Sequence, residues 1–301
     1  MWLFNQIPLR QKPIPSVGIF LSPFSFLTKE YSLMPHSLFD MTGRVAVVSG
    51  TARGMGRAMA LSFAEAGADT VLIDKNETDN LKTSEAVKQL GRQALTICCD
   101  VSDSTQIEHL YQEVDKHFGR VDVVGNVAGE GLLTNPETLT SEELTHVLNN
   151  LVVGRFISCR EAGKRMLAAG KGSIINIGSL ASITALGRGH LAYSMAMGAV
   201  AQMTRELSTE WSGRGVRVNA ILPAQVTNPG LLKRMASDPH LENTFLNGIP
   251  AGRMGMPDDI RGLSLLLGSD AGSWITGALI PMDGGNLAMN AGGTPGWLGT
   301  H

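Results

Sequence analysis

The sequence predicts an α/β fold: one doubly wound domain whose parallel sheet of about seven strands carries helices on both faces. Three observations predict it. Short, continuous apolar runs, suited to strands buried on both faces, alternate with longer stretches of helical period. The connections are short and glycine-rich, with 35 glycines among 301 residues, and no repeat or low-complexity linker interrupts residues 41–287. Several runs end in a glycine-rich turn or a lone acid, which puts polar chemistry at the C-terminal edge of the sheet, where such folds bind ligands.

Taken in order, residues 45–48 form the first strand, an unbroken run of Val45, Ala46, Val47 and Val48. A glycine-rich turn follows, and a helix is expected over about 57–66, closed by Gly67. The second strand, 70–73, ends in Asp74, and the helix near 78–90 stops at Gly91. Residues 94–99 form the third strand, which runs into Asp100-Val101. A helix over 104–118 is closed by Gly119, and the fourth strand, 121–124, leads into Gly125-Asn126-Val127-Ala128-Gly129. One long helix is expected over 141–169. The fifth strand, 173–177, gives way to Gly178-Ser179 and a loop, and a helix begins near His190 with Tyr193 in its first turn. The sixth strand, 216–221, is stopped by Pro223. Residues 224–256 read as irregular, with a short helix around 231–236. Pro257 opens a helix to about 267, with Asp258 and Asp259 favourably placed in its first turn. The last strand, 278–282, precedes Asp283-Gly284-Gly285.

The whole-chain properties narrow the function. A net charge of −2 gives no electrostatic case for nucleic acid or an anionic membrane. Cys98, Cys99 and Cys159 fit reduced core thiols rather than disulfides, and no Cys/His cluster has metal-binding spacing, so no metal is expected. Residues 1–40 carry five prolines and no helical or strand period, and read as a disordered extension or an over-long start, with Met34 or Met41 as the true beginning. An apolar run there is too short to span a bilayer and lacks a secretory cleavage site. The expected location is the cytoplasm, with organelle targeting by this extension as the alternative. The tail, 288–301, is expected to be loosely held.

The first strand–turn–helix unit predicts a dinucleotide site. Gly50, Gly54 and Gly56 permit positive φ, close approach of backbone to a pyrophosphate and tight helix–strand packing. The helix beyond them aims unpaired N–H groups at the anion. Asp74, some twenty residues on, is placed to bind the adenosine ribose hydroxyls. Its charge repels a 2′-phosphate and so favours NAD over NADP, although Arg53 and Lys75 are nearby cations. Asp100 is expected at the adenine edge, with Val101 packed on the ring.

Beyond this point the residues resemble a known family. Ser49-Gly50-Thr51-Ala52-Arg53-Gly54-Met55-Gly56 resembles the Thr-Gly-x-x-x-Gly-x-Gly cofactor motif of the short-chain dehydrogenases/reductases. Asn126-Val127-Ala128-Gly129 is similar to their Asn-Asn-Ala-Gly. Asn176-Ile177-Gly178-Ser179, Tyr193-Ser194-Met195-Ala196-Met197, the segment from Arg217 to Pro223 and Asp283-Gly284-Gly285 extend the match in order across about 41–287. Local wording is similar to 3-oxoacyl-carrier-protein reductases and to sugar or polyol dehydrogenases. The resemblance implies a Rossmann-type sheet, a nicotinamide cofactor, and a homodimer or homotetramer built on the two long helices. It places Gly50, Arg53, Gly54, Met55 and Gly56 at the cofactor phosphates. It adds Asn126, Ala128, Gly129, Tyr193, Pro223, Val226 and Asn228 along the rest of the cofactor.

The same resemblance assigns the chemistry. Ser179 hydrogen-bonds the substrate oxygen, and Tyr193 is the general acid or base for the alcohol proton while hydride passes to or from the nicotinamide. An asparagine on the preceding long helix maps to Asn150 or to Asn149. The segment Asn149-Asn150-Leu151-Val152-Val153-Gly154 is one residue longer than the family spacing. The family's lysine, four residues after the tyrosine, is here Met197, which has neither charge nor donor. A free phenol titrates near pH 10, so each unit of lost assistance costs about tenfold in ionised tyrosine. Three explanations compete. Met197 cripples an ordinary enzyme; His190 or Arg188 supplies the cation instead; or the pocket serves a non-redox reaction or binding alone. Ala224 in place of a usual glycine, and Asn228 in place of a threonine, are further departures. The substrate is expected to be small and mainly neutral, because Leu132, Leu133, Ile183, Leu186, Met235, Phe245 and Leu246 dominate the segments that would surround it.

Overall fold

The computed structural model describes residues 37–289 and 293–296. Residues 1–36 and most of the tail from Asn290 lie outside the described residues, and the expectations for them with it. The described chain begins with a 3₁₀ turn, Ser37–Phe39. Met41 follows, fully buried, its N–H donating to Ala66 O.

Seven parallel strands form one sheet in the order β3-β2-β1-β4-β5-β6-β7. They are β1 Val45–Ser49, β2 Asp69–Asp74, β3 Ala94–Cys98, β4 Val123–Asn126, β5 Gly172–Ile177, β6 Val216–Pro223 and β7 Leu279–Met282. The helices are α1 Gly54–Glu65, α2 Glu77–Gln89, α3 Ser104–Phe118, α4 Ser141–Leu148, α5 Gly154–Ala169, α6 Leu191–Trp211, α7 Pro229–Ser237, α8 Leu241–Leu246 and α9 Arg261–Gly268. The order reverses between β1 and β4, and this switch point opens a crevice at the C-terminal strand ends.

The continuous apolar runs are explained by two cores, one on each face. Alternate strand residues such as Val45, Val47, Val71, Val124, Ile174 and Val218 meet Ile107, Tyr111 and Val114 of α3 and Ile157, Cys159 and Met166 of α5. Their neighbours Ala46, Val48, Leu72, Val123, Ile175 and Ile221 meet Met59 and Phe63 of α1, and Leu267 of α9. A strand apolar only on alternate positions would leave one of these helix layers without a surface to cover. The caps on α3 show why its bounds were readable. Asp103 accepts from Thr105 N and Gln106 N, and Gly119 closes the helix in the left-handed region at φ 65°.

Five elements differ from expectation. β4 runs over Val123–Asn126 instead of 121–124, because its pairing with β1 and β5 continues through Gly125 and Asn126. α1 begins at Gly54, three residues early, because the helix starts inside the glycine turn once Arg53 is extended at φ −161°. The expected long helix is interrupted by a π turn, Asn149–Val153, between α4 and α5. The segment expected to be irregular with one short helix near 231–236 holds that helix as α7, two residues earlier, and a second one, α8. α7 starts on the Pro229 ring with Asn228 as its cap, and α8 buries Phe245. The helix opened by Pro257 is 3₁₀ over Pro257–Ile260 before it becomes α9. Cys99 and Cys159 are buried free thiols as expected, whereas Cys98, also free, is exposed at the end of β3 and not in the core. Among the described residues there is no side-chain cluster able to hold a metal ion, and no helix long and apolar enough to cross a membrane.

Candidate active site

The nucleotide end is built by the turn after β1. Gly50 adopts φ 75° and Gly54 φ 59°, a region that side chains other than glycine avoid. At Gly56 a Cβ would lie 2.2 Å from Gly50 O, so α1 presses its backbone directly on the turn. α1 has no side-chain N-cap, which leaves its first-turn N–H groups available to an anion at the sheet edge. These features fit the pyrophosphate of a dinucleotide. Arg53 stands exposed beside them and Met55 is half-buried.

Polar side chains lock this turn from below. Thr51 Oγ1 donates to Asn80 Oδ1 at 2.7 Å, Asn80 Nδ2 to Leu72 O at 2.9 Å, and Thr83 Oγ1 to Thr51 O at 2.8 Å. Ser49 Oγ accepts from Val127 N at 3.0 Å and Ala128 N at 3.1 Å, which stitches the β1 turn to the β4 turn. Asp74 ends β2 beside the turn, accepting from Ala52 N at 3.0 Å and Asn76 N at 2.9 Å. The Ser102 N–H and hydroxyl, both donating to Asp100, hold its carboxyl below the usual carboxylate range. Val101 is half-buried, and its carbonyl lies 1.8 Å from where a Gly154 Cβ would be. Only glycine permits that approach of α5.

Some expected cofactor residues turn out to be occupied within the protein. Asn126, buried, accepts from Ser158 Oγ at 2.7 Å and donates to Asn176 Oδ1 at 3.0 Å. Its side chain therefore braces the loop that carries Ala128 and Gly129. Asn228 uses Oδ1 to cap Leu231 N and Nδ2 to reach Val226 O. Pro223 ends β6 opposite Met282, and Val226 bridges Gly255.

At the catalytic end, Ser179 caps a 3₁₀ turn, Leu180–Ser182. Its Oγ accepts from Ala181 N at 3.2 Å, which leaves the hydroxyl hydrogen free to donate to a ligand. Tyr193 lies in the first turn of α6, half-buried, with Gly131 so close that a Cβ there would sit 2.7 Å from its ring. Ala181, two residues past Ser179, packs in the same apolar cluster as Tyr193, Met197, Val147 and Leu151. Of the two asparagines, Asn149 is exposed, whereas Asn150 Oδ1 accepts from Glu130 N at 3.1 Å and so reaches the β4 loop.

The lysine position is filled by packing. Met197 is 1% exposed inside that cluster. Arg188 lies over the Phe245 ring at 5.1 Å, on α8. His190 meets the Tyr193 ring edge-on at 6.2 Å, and its Nδ1–H donates to Gly187 O at 2.7 Å. The cation that sequence reasoning missed is Arg155, on α5 and 6% exposed. Its Nη1 donates to Leu151 O at 3.2 Å and its Nη2 to Ala128 O at 3.3 Å. Burial pushes Arg155 down to about 10, against the attraction of Tyr193 and Cys159. Its only trace in the sequence is the one-residue excess ahead of Gly154.

Comparison with known proteins supplies a context for this geometry. The family model described as enoyl-(acyl carrier protein) reductase matches residues 50–286. The chain is 36% identical over 253 residues to 2-dehydro-3-deoxy-D-gluconate 5-dehydrogenase of Pseudoalteromonas atlantica, covering 82% of this chain and 97% of the relative. It is 36% identical to NAD-dependent glycerol dehydrogenase of Listeria innocua, covering 82% of this chain and 95% of that one. The crystal structure of a gluconate 5-dehydrogenase from Burkholderia cenocepacia, in complex with NADP and tartrate, superposes with a TM-score of 0.78 at 27% identity, covering 83% of this chain and 98% of that one.

Proposed function

The chain belongs to the short-chain dehydrogenase/reductase family, and on that premise we propose that it interconverts a small neutral polyol and its ketone, with NAD(H) preferred to NADP(H). As a member of the family it is an oxidoreductase acting on CH–OH groups. The observation that carries the finer reading is the placement of Ser179 and Tyr193. A free hydroxyl at the end of β5 and a phenol in the first turn of α6 share the sheet edge with the uncapped N-terminus of α1.

Within that site the protein's own groups divide the work. Ser179 donates its hydroxyl hydrogen to the substrate oxygen and so holds the carbon in place. Tyr193 gives the proton to that oxygen in reduction and takes it in oxidation. Gly131 against the ring fixes its orientation. Asn150 ties the π turn to the β4 loop through Glu130 N. The turn after β1, Asp74 and Asp100 would hold the nicotinamide dinucleotide, which when bound supplies the hydride acceptor or donor. Met197 adds packing but no charge, so proton transfer at Tyr193 gets no help from that position.

The test is a screen for nucleotide oxidation and reduction against a panel of polyols, sugar acids and hydroxyketones. Turnover of neutral polyols supports the reading. Tight nucleotide binding with no turnover of any member overturns it.

The cofactor preference rests on Asp74, whose carboxylate stands at the end of β2 and accepts from Ala52 N and Asn76 N. Calorimetry is expected to give tighter binding of NADH than of NADPH. Asp74→Ser is expected to narrow the ratio at least tenfold, since one charge contact of about 1.4 kcal/mol is a factor of ten. An unchanged ratio would remove Asp74 from the cofactor site.

Val153 and Phe156, 38% and 43% exposed near the start of α5, and Leu191 and Met195, 43% and 47% exposed on α6, leave apolar surface on the two long helices. This supports a homodimer through those helices. Sedimentation of Phe156→Glu is expected to show monomer where the parent sediments as a dimer or tetramer. Free thiols support a cytoplasmic location.

A further inference from the structure

Arg155 is a buried cation without a counterion. Among the described residues no carboxylate pairs with it, two backbone carbonyls take two of its donors, and Nε has no partner. A charge so placed is costly unless something in its surroundings becomes negative. The groups that favour its charged form are Tyr193 and Cys159. The Cys159 thiol, fully buried, is itself pushed up to about 12 and stays neutral at working pH. That leaves Tyr193.

Arg155 lies just past the π turn. Gly154 N donates to Asn149 O, an i→i−5 bond that absorbs one extra residue. An extra residue rotates every later position by about 100° about the helix axis, and π turns of this kind gather at functional sites. Position 155, one turn past the buried Leu151, faces the β4 loop, where its guanidinium reaches Leu151 O and Ala128 O. The loop itself connects the two groups. Arg155 Nη2 bonds Ala128 O and lies 3.5 Å from the Cβ position of Gly129, while Gly131 rests on the Tyr193 ring.

We propose that Arg155 is the positioning cation of this active site, whose buried charge steadies the Tyr193 phenolate during proton transfer from a different helix than the family's lysine. The inference rests on the oxidoreductase reading of the same pocket. In oxidation the alcohol proton moves to the phenolate oxygen, and in reduction it returns. Arg155 neither gains nor loses a proton in either direction. Met197 is then compatible with an active enzyme, because the missing charge is supplied from α5.

Two variants separate charge from bracing. Arg155→Gln keeps N–H donors for Leu151 O and Ala128 O but removes the charge, and Arg155→Lys keeps the charge. Two readouts apply: the pH profile of kcat/KM on a turned-over polyol, and the absorbance titration of tyrosinate with NAD bound, with Tyr193→Phe as the subtraction. Tyr111 is buried, which pushes its phenol above the usual range, and the Tyr193→Phe subtraction removes the signal of Tyr111 and Tyr31. Arg155→Gln is expected to move both midpoints up by about one unit or more, and to lower kcat/KM at pH 7 about tenfold per unit. Arg155→Lys is expected to keep both midpoints near the parent's. Met197→Lys added to Arg155→Gln is expected to restore at least half of the lost shift. Unmoved midpoints in Arg155→Gln, with nucleotide binding and melting temperature intact, would overturn the proposal and leave Arg155 as a brace of the π turn. Should the parent turn over no polyol while the tyrosinate midpoint still moves with Arg155, the redox reading fails and the Arg155 assignment stands.

Discussion

Tyr193→Phe is expected to lower kcat about 10²–10⁴-fold, the usual worth of a positioned acid or base, while nicotinamide nucleotide binding changes less than threefold. The ring is held by contacts that do not involve its oxygen. It packs with Leu132, Leu186 and Met197 in the apolar cluster beside α4 and α6, and Gly131 lies against its edge. Phenylalanine keeps all of these contacts, so the variant isolates the proton step from folding and from the turn after β1. Steady-state kinetics with a fluorescence titration of NADH measure both halves. Retention of more than a tenth of the parent rate would send the proton elsewhere. The candidate then is His190, whose Nδ1–H is committed to Gly187 O and whose other ring nitrogen remains able to accept.

The elements that could be read in the sequence are those whose limits are set by local chemistry. α3 matches expectation at both ends because Asp103 and Gly119 are strong caps, and the strands other than β4 follow their apolar runs because both sheet faces are covered. The glycine turn after β1 was readable for the same reason: positive φ at Gly50 and Gly54 and the close backbone contact at Gly56 require those residues whatever the turn binds. What stayed hidden depends on tertiary contacts. Asn126 looked like a cofactor ligand, but Ser158 and Asn176 take its side chain, and no pattern of a single chain reveals that. Arg155 drew no functional reading from the sequence. It lies just past the π turn, whose local signal was an extra residue that could equally have shifted the asparagine register. Of the two asparagines, Asn150 reaches the β4 loop whereas Asn149 is exposed.

Gly56→Ala is expected to weaken nucleotide binding at least a hundredfold and to destabilise the fold by about 1–3 kcal/mol, the usual cost of forcing an extra methyl into close packing. The added Cβ would stand 2.2 Å from Gly50 O, 2.5 Å from Gly50 C and 2.7 Å from Ser49 O. All three are backbone atoms of the strand and turn, so relief requires α1 to move away from β1. That displacement acts on both features that make the turn an anion site. It pulls the free N–H groups of the first helical turn off the sheet edge, and it opens the turn that Thr51, Asn80 and Thr83 hold closed. Ser49 lies at the other side of the clash and carries the β4 turn through Val127 N and Ala128 N, so the disturbance reaches the loop over Arg155 as well. Gly262→Ala is the matched control: it is helical and exposed, with no atom within 4 Å of the new methyl. Helix propensity predicts that it is neutral or slightly stabilising. Thermal melts and NADH titrations of the two variants make the comparison. Equal nucleotide affinity in both would mean that the α1 terminus does not bind the pyrophosphate, whatever the catalytic end of the crevice does.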